Sequence, residues 1–180
     1  MGGSVNFNSQ APSPTLEVLI GVQSADAGHL RRIDYALSDS NQEGTTGVRL
    51  SGYSSRRVDG WQDYNDAEKD SLTLRHDWKI SAAVRLKNLA TYNRLYTDMP
   101  GSLNPTDYQN RQGFSYNTFT WRHVEALRLS SNLHIEQDNQ SSSDATLYMR
   151  RNRTDQLPSY LIFATGAGSA SGRLTKQSFA

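Results

Sequence analysis

Ser71-Leu72-Thr73-Leu74-Arg75-His76-Asp77-Trp78-Lys79-Ile80 is the stretch that decides the fold class. Its even positions are Leu72, Leu74, His76, Trp78 and Ile80, while its odd positions are Ser71, Thr73, Arg75, Asp77 and Lys79. One face is apolar or aromatic and the other polar, with a period of two rather than 3.6, so the segment reads as a β-strand wetted on one side. A three-residue connection, Ser81-Ala82-Ala83, hands over to Val84, Leu86 and Ala90, alternating with Arg85, Lys87 and Thr91. Two alternating runs joined this tightly predict an antiparallel hairpin.

The same period continues on both sides. Upstream, Met1 to Pro14 is rich in Gly, Ser, Asn and Pro and reads as an irregular leading segment. A first alternation follows at Leu16, Val18, Ile20 and Val22. A second sets Ile33, Tyr35 and Leu37 against Asp34, Ala36 and Ser38, and a third sets Val48 and Leu50 against Arg49 and Ser51. Downstream, Leu127, Leu129, Leu133 and Ile135 oppose Arg128, Ser130, Asn132 and His134, and a weaker seventh run spans about Thr146 to Arg153. The Asp66-Ala67-Glu68-Lys69 tetrad has the composition of a helical turn but is too short to stand alone. The expectation is an all-β antiparallel up-and-down meander of about seven strands over residues 15–163. Residues 1–14 precede it, and a Gly/Ala/Ser-rich tail at 164–180, with Gly166, Gly168 and Gly172, reads as disordered.

Connection lengths add a second clue. Asn41 to Gly44 and Ser81 to Ala83 are short; Arg57 to Asp70 and Asp98 to Arg122 are long. In a meander these two kinds fall on opposite ends, as in an outer-membrane barrel, although Gln137 to Ala145 is longer than a tight turn. Bulk properties agree with a strand-built wall and exclude other classes. Among 180 residues, 19 basic side chains balance 18 acidic ones, which gives no electrostatic reason to expect nucleic acid. The mean hydropathy is -0.69, and no run approaches the roughly 18 apolar residues of a membrane helix. Low mean hydropathy leaves a membrane β-barrel open, because its strands alternate. The absence of cysteine excludes disulfides, Cys-ligated zinc and thiol catalysis. The first twenty residues have no cationic start, apolar core and cleavage site, so no signal peptide is read in them.

Alternation alone does not separate a membrane barrel from a soluble β-sandwich. More specific elements do point one way. Gly2-Gly3-Ser4-Val5-Asn6-Phe7 resembles the element that ends the plug of TonB-dependent receptors. Asp70 to Trp78 and Thr91-Tyr92-Asn93-Arg94-Leu95 resemble early barrel strands of that family. Asp98-Met99-Pro100-Gly101 is similar to the start of a long external loop in its ferric-chelate receptors, and Ala126 to Ser131 fits the strand that follows. In order and spacing the resemblance spans about Gly2 to Phe163. It implies an outer-membrane location and import of a ferric chelate, siderophore or similar scarce nutrient, with the TonB complex and outer-membrane lipid as partners. Such transporters have about 22 strands, so this chain is expected to be a fragment, from the end of the plug through the first barrel strands, that does not transport alone. The alternative is a self-contained soluble module or small barrel that recognises a ligand through aromatic loops.

If the barrel reading holds, charge should avoid the apolar phase, and Arg75, Lys79, Arg85, Lys87 and Arg128 do fall on the polar one. Trp78 then belongs to an interfacial aromatic girdle, against the alternative of a Trp packed in a soluble core. The candidate ligand-binding residues are Arg111, Tyr116, Trp121 and Arg122 in the long segment, with Arg57, Trp61 and Tyr64 in the other loop. Aromatic rings stack on planar ligands, and arginines pair with anionic ones. The alternative role for these rings is to pack the loops. His29, His76, His123 and His134 lack ligand spacing, so no metal site is expected. No nucleophile elbow or phosphate loop marks an enzyme or a cofactor site.

Overall fold

The computed structural model describes residues 9–26, 29–137, 141–158, 163–165, 168–170 and 174–179. Seven strands follow in chain order: β1 (Glu17–Ala25), β2 (Leu30–Ser40), β3 (Thr46–Arg57), β4 (Ala67–Lys79), β5 (Val84–Asp98), β6 (Trp121–Gln137) and β7 (Ser141–Leu157). Each pairs antiparallel with the next. A helix, α1 (Pro105–Asn110), interrupts the β5–β6 connection. The short strands β8 (Phe163–Thr165) and β9 (Gly168–Ala170) pair with each other, and β10 (Leu174–Phe179) adds to β7. The result is an open eight-stranded sheet ordered β1-β2-β3-β4-β5-β6-β7-β10.

The meander and its period-two strands match the sequence reading; four local expectations do not. The tail read as disordered carries β8, β9 and β10. The Gly/Ala/Ser composition hid them; β10 in particular adds to the existing edge of β7, which needs backbone partners more than apolar alternation. The seventh strand starts at Ser141 rather than Thr146, so three residues, 138–140, separate Gln137 from its register partner Ser141. Ala67, Glu68 and Lys69 extend β4 rather than forming a helical turn. Asp98, Trp121 and Arg122 belong to strands, which shortens the two long connections to 58–66 and 99–120. The Gly2 to Phe7 element lies outside the described residues.

Turn chemistry explains the short end. The Asn41 side-chain oxygen accepts from the Thr45 and Thr46 amides at 2.8 and 2.9 Å, the Thr46 carbonyl accepts from the Asn41 amide, and Gly44 takes a φ of +63°. An Asx side chain thus replaces backbone partners around a left-handed glycine. At 80–83 the Ser81 hydroxyl accepts from the Ala83 and Val84 amides. The leading residues rest on the same end. The Ser13 amide donates to Ser38 Oγ at 2.7 Å, Ser40 Oγ donates to the Ser13 carbonyl, and Arg75 donates to the Ser9 carbonyl.

Register sorts the side chains into two faces. Val18, Leu37, Leu50, Leu74, Ala90, Leu129 and Met149 form one continuous row from β1 to β7. Trp78, Leu86 and Leu133 lie beside it toward the short turns, and Tyr35, Gly52, Leu72, Tyr92 and Leu127 toward the long loops. Arg49, Arg75, Lys87 and Arg128 point to the opposite face. Among the described residues nothing covers the apolar side: Val18, Ile20 and Val22 are 63%, 74% and 75% exposed, and Ala36 is the single buried hydrophobic residue. The apolar face also carries one polar chain, in which Ser131 Oγ donates to Asn88 at 2.7 Å while both nitrogens of His76 are engaged, by Asn88 and by Thr46 Oγ1. Toward the long loops the face ends at a row of alternating charge, Asp70–Arg94–Glu125–Arg153, and on β7 one step earlier, at Arg151 opposite Leu127.

Candidate functional site

The long connections 58–66 and 99–120 leave the same end of the sheet and are tied to each other. The Asp63 amide donates to the Gly113 carbonyl at 2.7 Å, and Gln62 Nε2 donates to the Phe114 carbonyl at 3.1 Å. Gln62 is only 7% exposed. Its amide is therefore a buried polar group, satisfied by the neighbouring loop. A side chain at Gly113 would meet the Trp61 carbonyl at 3.3 Å, which fits glycine at this crossing. At the base of the longer loop the Met99 amide donates to the Thr120 carbonyl, and buried Ser115 and Thr120 place their hydroxyls on the Pro100 and Met99 carbonyls. The two loops therefore form one cap.

Inside the cap, Asn104-Pro105-Thr106-Asp107 starts α1 for explicit reasons. Asn104 has extended backbone, and its side-chain oxygen accepts from the Asp107 amide at 2.8 Å. Pro105 takes the first helical position, where a missing N–H costs nothing. Asp107 then accepts two bonds from Arg111, at 2.6 and 3.1 Å, and one from the Tyr116 hydroxyl. The Arg111 guanidinium lies 3.9 Å from the centroid of the Phe114 ring, which meets Tyr116 edge to face at 5.3 Å. Both are favourable placements for a ring that is negative on its face and positive at its edge. Hydrogen bonds from Arg111 and then from Tyr116 hold the Asp107 carboxyl below the usual carboxylate range, and the bond to Asp107 raises the Tyr116 phenol. Arg111 and Tyr116 are thus committed to the loop's own structure.

The other five candidate residues separate. Arg57 donates to the Asn65 carbonyl at 2.8 Å and to its side chain at 2.6 Å, bracing the loop in which Asp59 and Tyr64 take φ values of +52° and +55°. Such left-handed backbone is uncommon outside glycine and is held here by contacts such as the Asp59 amide on Asp66. Trp61 and Tyr64 remain 58% and 53% exposed. Trp121 opens β6 on the apolar face, stacked on Tyr96 at 6.3 Å. Its neighbour Arg122 points to the polar face and bonds Gln156 at 3.0 Å. The geometry brings Trp61, Arg111 and Tyr116 into one cap, with Tyr64 on the same loop, and leaves Trp121 on the wall's other face.

Two features escaped the sequence reading. Asn104-Pro105-x-Asp107 is a helix-start signal that was legible, whereas the Gln62 bridge has no local signature. Among the described residues no three His, Asp or Glu side chains converge as metal ligands. By composition, residues 58–66 and 99–120 carry four acids, Asp59, Asp63, Asp66 and Asp107, and one Lys or Arg, Arg111.

No family model matches the sequence, and no curated protein matches it. The fold is similar to that in the crystal structure of the ferric citrate transporter FecA in the unliganded form, with a TM-score of 0.64 and 17% sequence identity. That likeness covers 83% of this chain and 22% of the transporter. The chain spans less than a quarter of the length of that structure, and the likeness is one of fold.

Proposed function

We propose that the chain is a sector of the wall of an outer-membrane receptor of the TonB-dependent type, whose long-loop end meets a ferric chelate or another small scarce nutrient. The observation that carries this reading is the uncovered apolar face. A water-soluble sheet buries one side, yet here large apolar side chains in register from β1 to β7 stay exposed. Lipid is the solvent in which such a face is stable. Trp78, Leu86, Leu133, Val84 and Ile135 mark its short-turn border, and the Asp70–Arg94–Glu125–Arg153 row marks its long-loop border. On β5 the apolar positions run from Val84 to Tyr92. That length suffices for a tilted strand to cross the hydrocarbon layer of a bilayer. The remaining strand length lifts the cap clear of the lipid.

The fold likeness to a ferric citrate transporter supports the nutrient part of the reading, and exposed Trp61 and Tyr64 offer ring faces to a ligand. In a complete receptor the TonB complex would supply energy. The open edges β1 and β10 favour this sector over a self-contained small barrel. The test uses single-tryptophan variants of the full chain reconstituted in vesicles with brominated acyl chains. With Trp61→Phe and Trp121→Phe, the remaining Trp78 should be quenched; with Trp78→Phe and Trp121→Phe, the remaining Trp61 should not. A chain that stays monodisperse in buffer, with Trp78 unquenched, would replace this reading with the soluble binding module.

A further inference from the structure

On the polar face, one row of the sheet places Ser51, Thr73, Thr91, Arg128 and Arg150 side by side across β3 to β7. We propose that the Arg128–Arg150 end of this row, with Thr91 beside it, is a binding seam for a small multiply charged oxyanion, a polycarboxylate or phosphate in free solution. Arg128 and Arg150 are directly opposed register partners, so their like charges stand at cross-strand distance, an arrangement that costs stability unless something neutralises it. The sheet shows how it handles that problem elsewhere. Arg49 and Arg75 oppose one another in the same way, and each has a carboxylate of its own, Glu17 at 3.3 Å and Asp77 at 2.6 Å. Of the opposed pairs Arg31–Arg56 and Lys79–Arg85, one member holds Glu68 or Glu136. Among the described residues, Arg128–Arg150 is the opposed cationic pair in which neither member has an acid.

A second observation points the same way. Arg150 Nε is removed from solvent and has no hydrogen-bond partner, a donor left open next to an uncompensated charge. Two guanidinium forks match the paired oxygens of carboxylates and phosphates. Thr91, the register partner of Arg128 on β5, also lines a groove of about 320 Å³ together with Ser51, Thr73, Arg49 and Arg75. The Thr91 hydroxyl, able both to donate and to accept, suits a further oxygen of a polyvalent anion. This inference rests on the polar face and does not depend on the membrane reading.

The test titrates the folded full chain, in buffer or detergent, with citrate and separately with inorganic phosphate at constant ionic strength, following heat release and thermal midpoint. Saturable binding is expected, with a rise in midpoint that sodium chloride does not reproduce. Arg128→Gln and Arg150→Gln should each weaken binding by about tenfold, the effect of one charge-assisted hydrogen bond. Without anion, both variants should be at least as stable as the parent, because a repulsion has been removed. Arg85→Gln, which breaks a satisfied pair, should bind as the parent does. An equal response to chloride, unchanged affinity in Arg128→Gln, or no saturable binding by the parent chain would overturn the proposal. Binding only by a carboxylate-rich peptide and not by either free anion would overturn it too, since it would make the seam a polypeptide contact.

Discussion

The strand wall and the loop cap are built on opposite principles. In the wall every residue repeats a rule: backbone ladder, alternate faces, and a side-chain chemistry set by the medium on each side. Leu74 and Thr73 differ by one position and therefore by face. In the cap no rule repeats. Its shape rests on a few specific contacts, Gln62 on Phe114, the Asp63 amide on Gly113, and the Asn104–Asp107–Arg111–Tyr116 cluster. The difference predicts that errors in the wall are global and errors in the cap local.

The sharpest way to break that contrast is to put the same charge on the two faces of one strand. Leu74→Arg in the middle of the apolar row should cost about 2 to 4 kcal/mol in a lipid-embedded sheet, read as a lowered urea midpoint in vesicles. Thr73→Arg, one residue away on the polar face, should shift that midpoint far less. Equal costs for the two would mean that the faces do not see different solvents. Gly52 offers a second test of the wall. It stands opposite Tyr35, whose hydroxyl would lie 2.7 Å from an added Cβ, and the Ser71 carbonyl blocks the same space. Gly52→Val should therefore destabilise by about 1 to 3 kcal/mol through overpacking, although valine suits strands in general. A neutral result would show that Tyr35 does not cover the glycine.

Cap edits should be smaller and confined. Gln62→Ala leaves the Phe114 carbonyl without its partner in a buried place, at a cost of about 1 kcal/mol. Hydrogen exchange should speed up in 58–66 and 99–120 while β3 to β6 stay protected. If the strands loosen as well, the cap is part of the wall's cooperative unit and the division between them fails.

The same division explains what could be read in advance. Period two in Ser71–Ile80, Val84–Thr91 and Leu127–Ile135 reports the two faces directly, so strands, their faces and the hairpin at 81–83 were legible. β10 was not, because Leu174–Phe179 owes its place to the free edge of β7 rather than to its own pattern. Within the cap, residue type alone pointed to Arg111, Tyr116, Trp61 and Tyr64 as ligand-facing. Type does not say that Arg111 and Tyr116 are already held by Asp107, since that depends on a helix start at Asn104, well before Arg111 in the chain. Trp121 and Arg122 were assigned to a loop because aromatic density continued past the true strand boundary. Boundaries in such stretches are set by pairing with Asp98 and Leu157, partners distant in sequence.

The Asp107 cluster gives the finest test of the cap. Because its contacts depress the carboxyl's pKa in the folded loop, they add order that is fully present above the ordinary carboxylate value of about 3.9. That order is lost as pH falls through the lower folded value. Tyr116 works with the opposite sign. Its raised phenol adds order below the ordinary tyrosine value of about 10, which is lost as pH climbs past the folded one. The NMR signal of a labelled Tyr116 ring should therefore hold steady between these limits and move beyond both. In Asp107→Asn the acid-side change should vanish and the phenol should ionise earlier, while trypsin cuts faster after Arg111, now freed from its partner. The strands should not register the substitution. A Tyr116 titration identical in parent and variant would mean that the cluster is not formed, and Arg111 would then return as a free cation at the mouth of the cap.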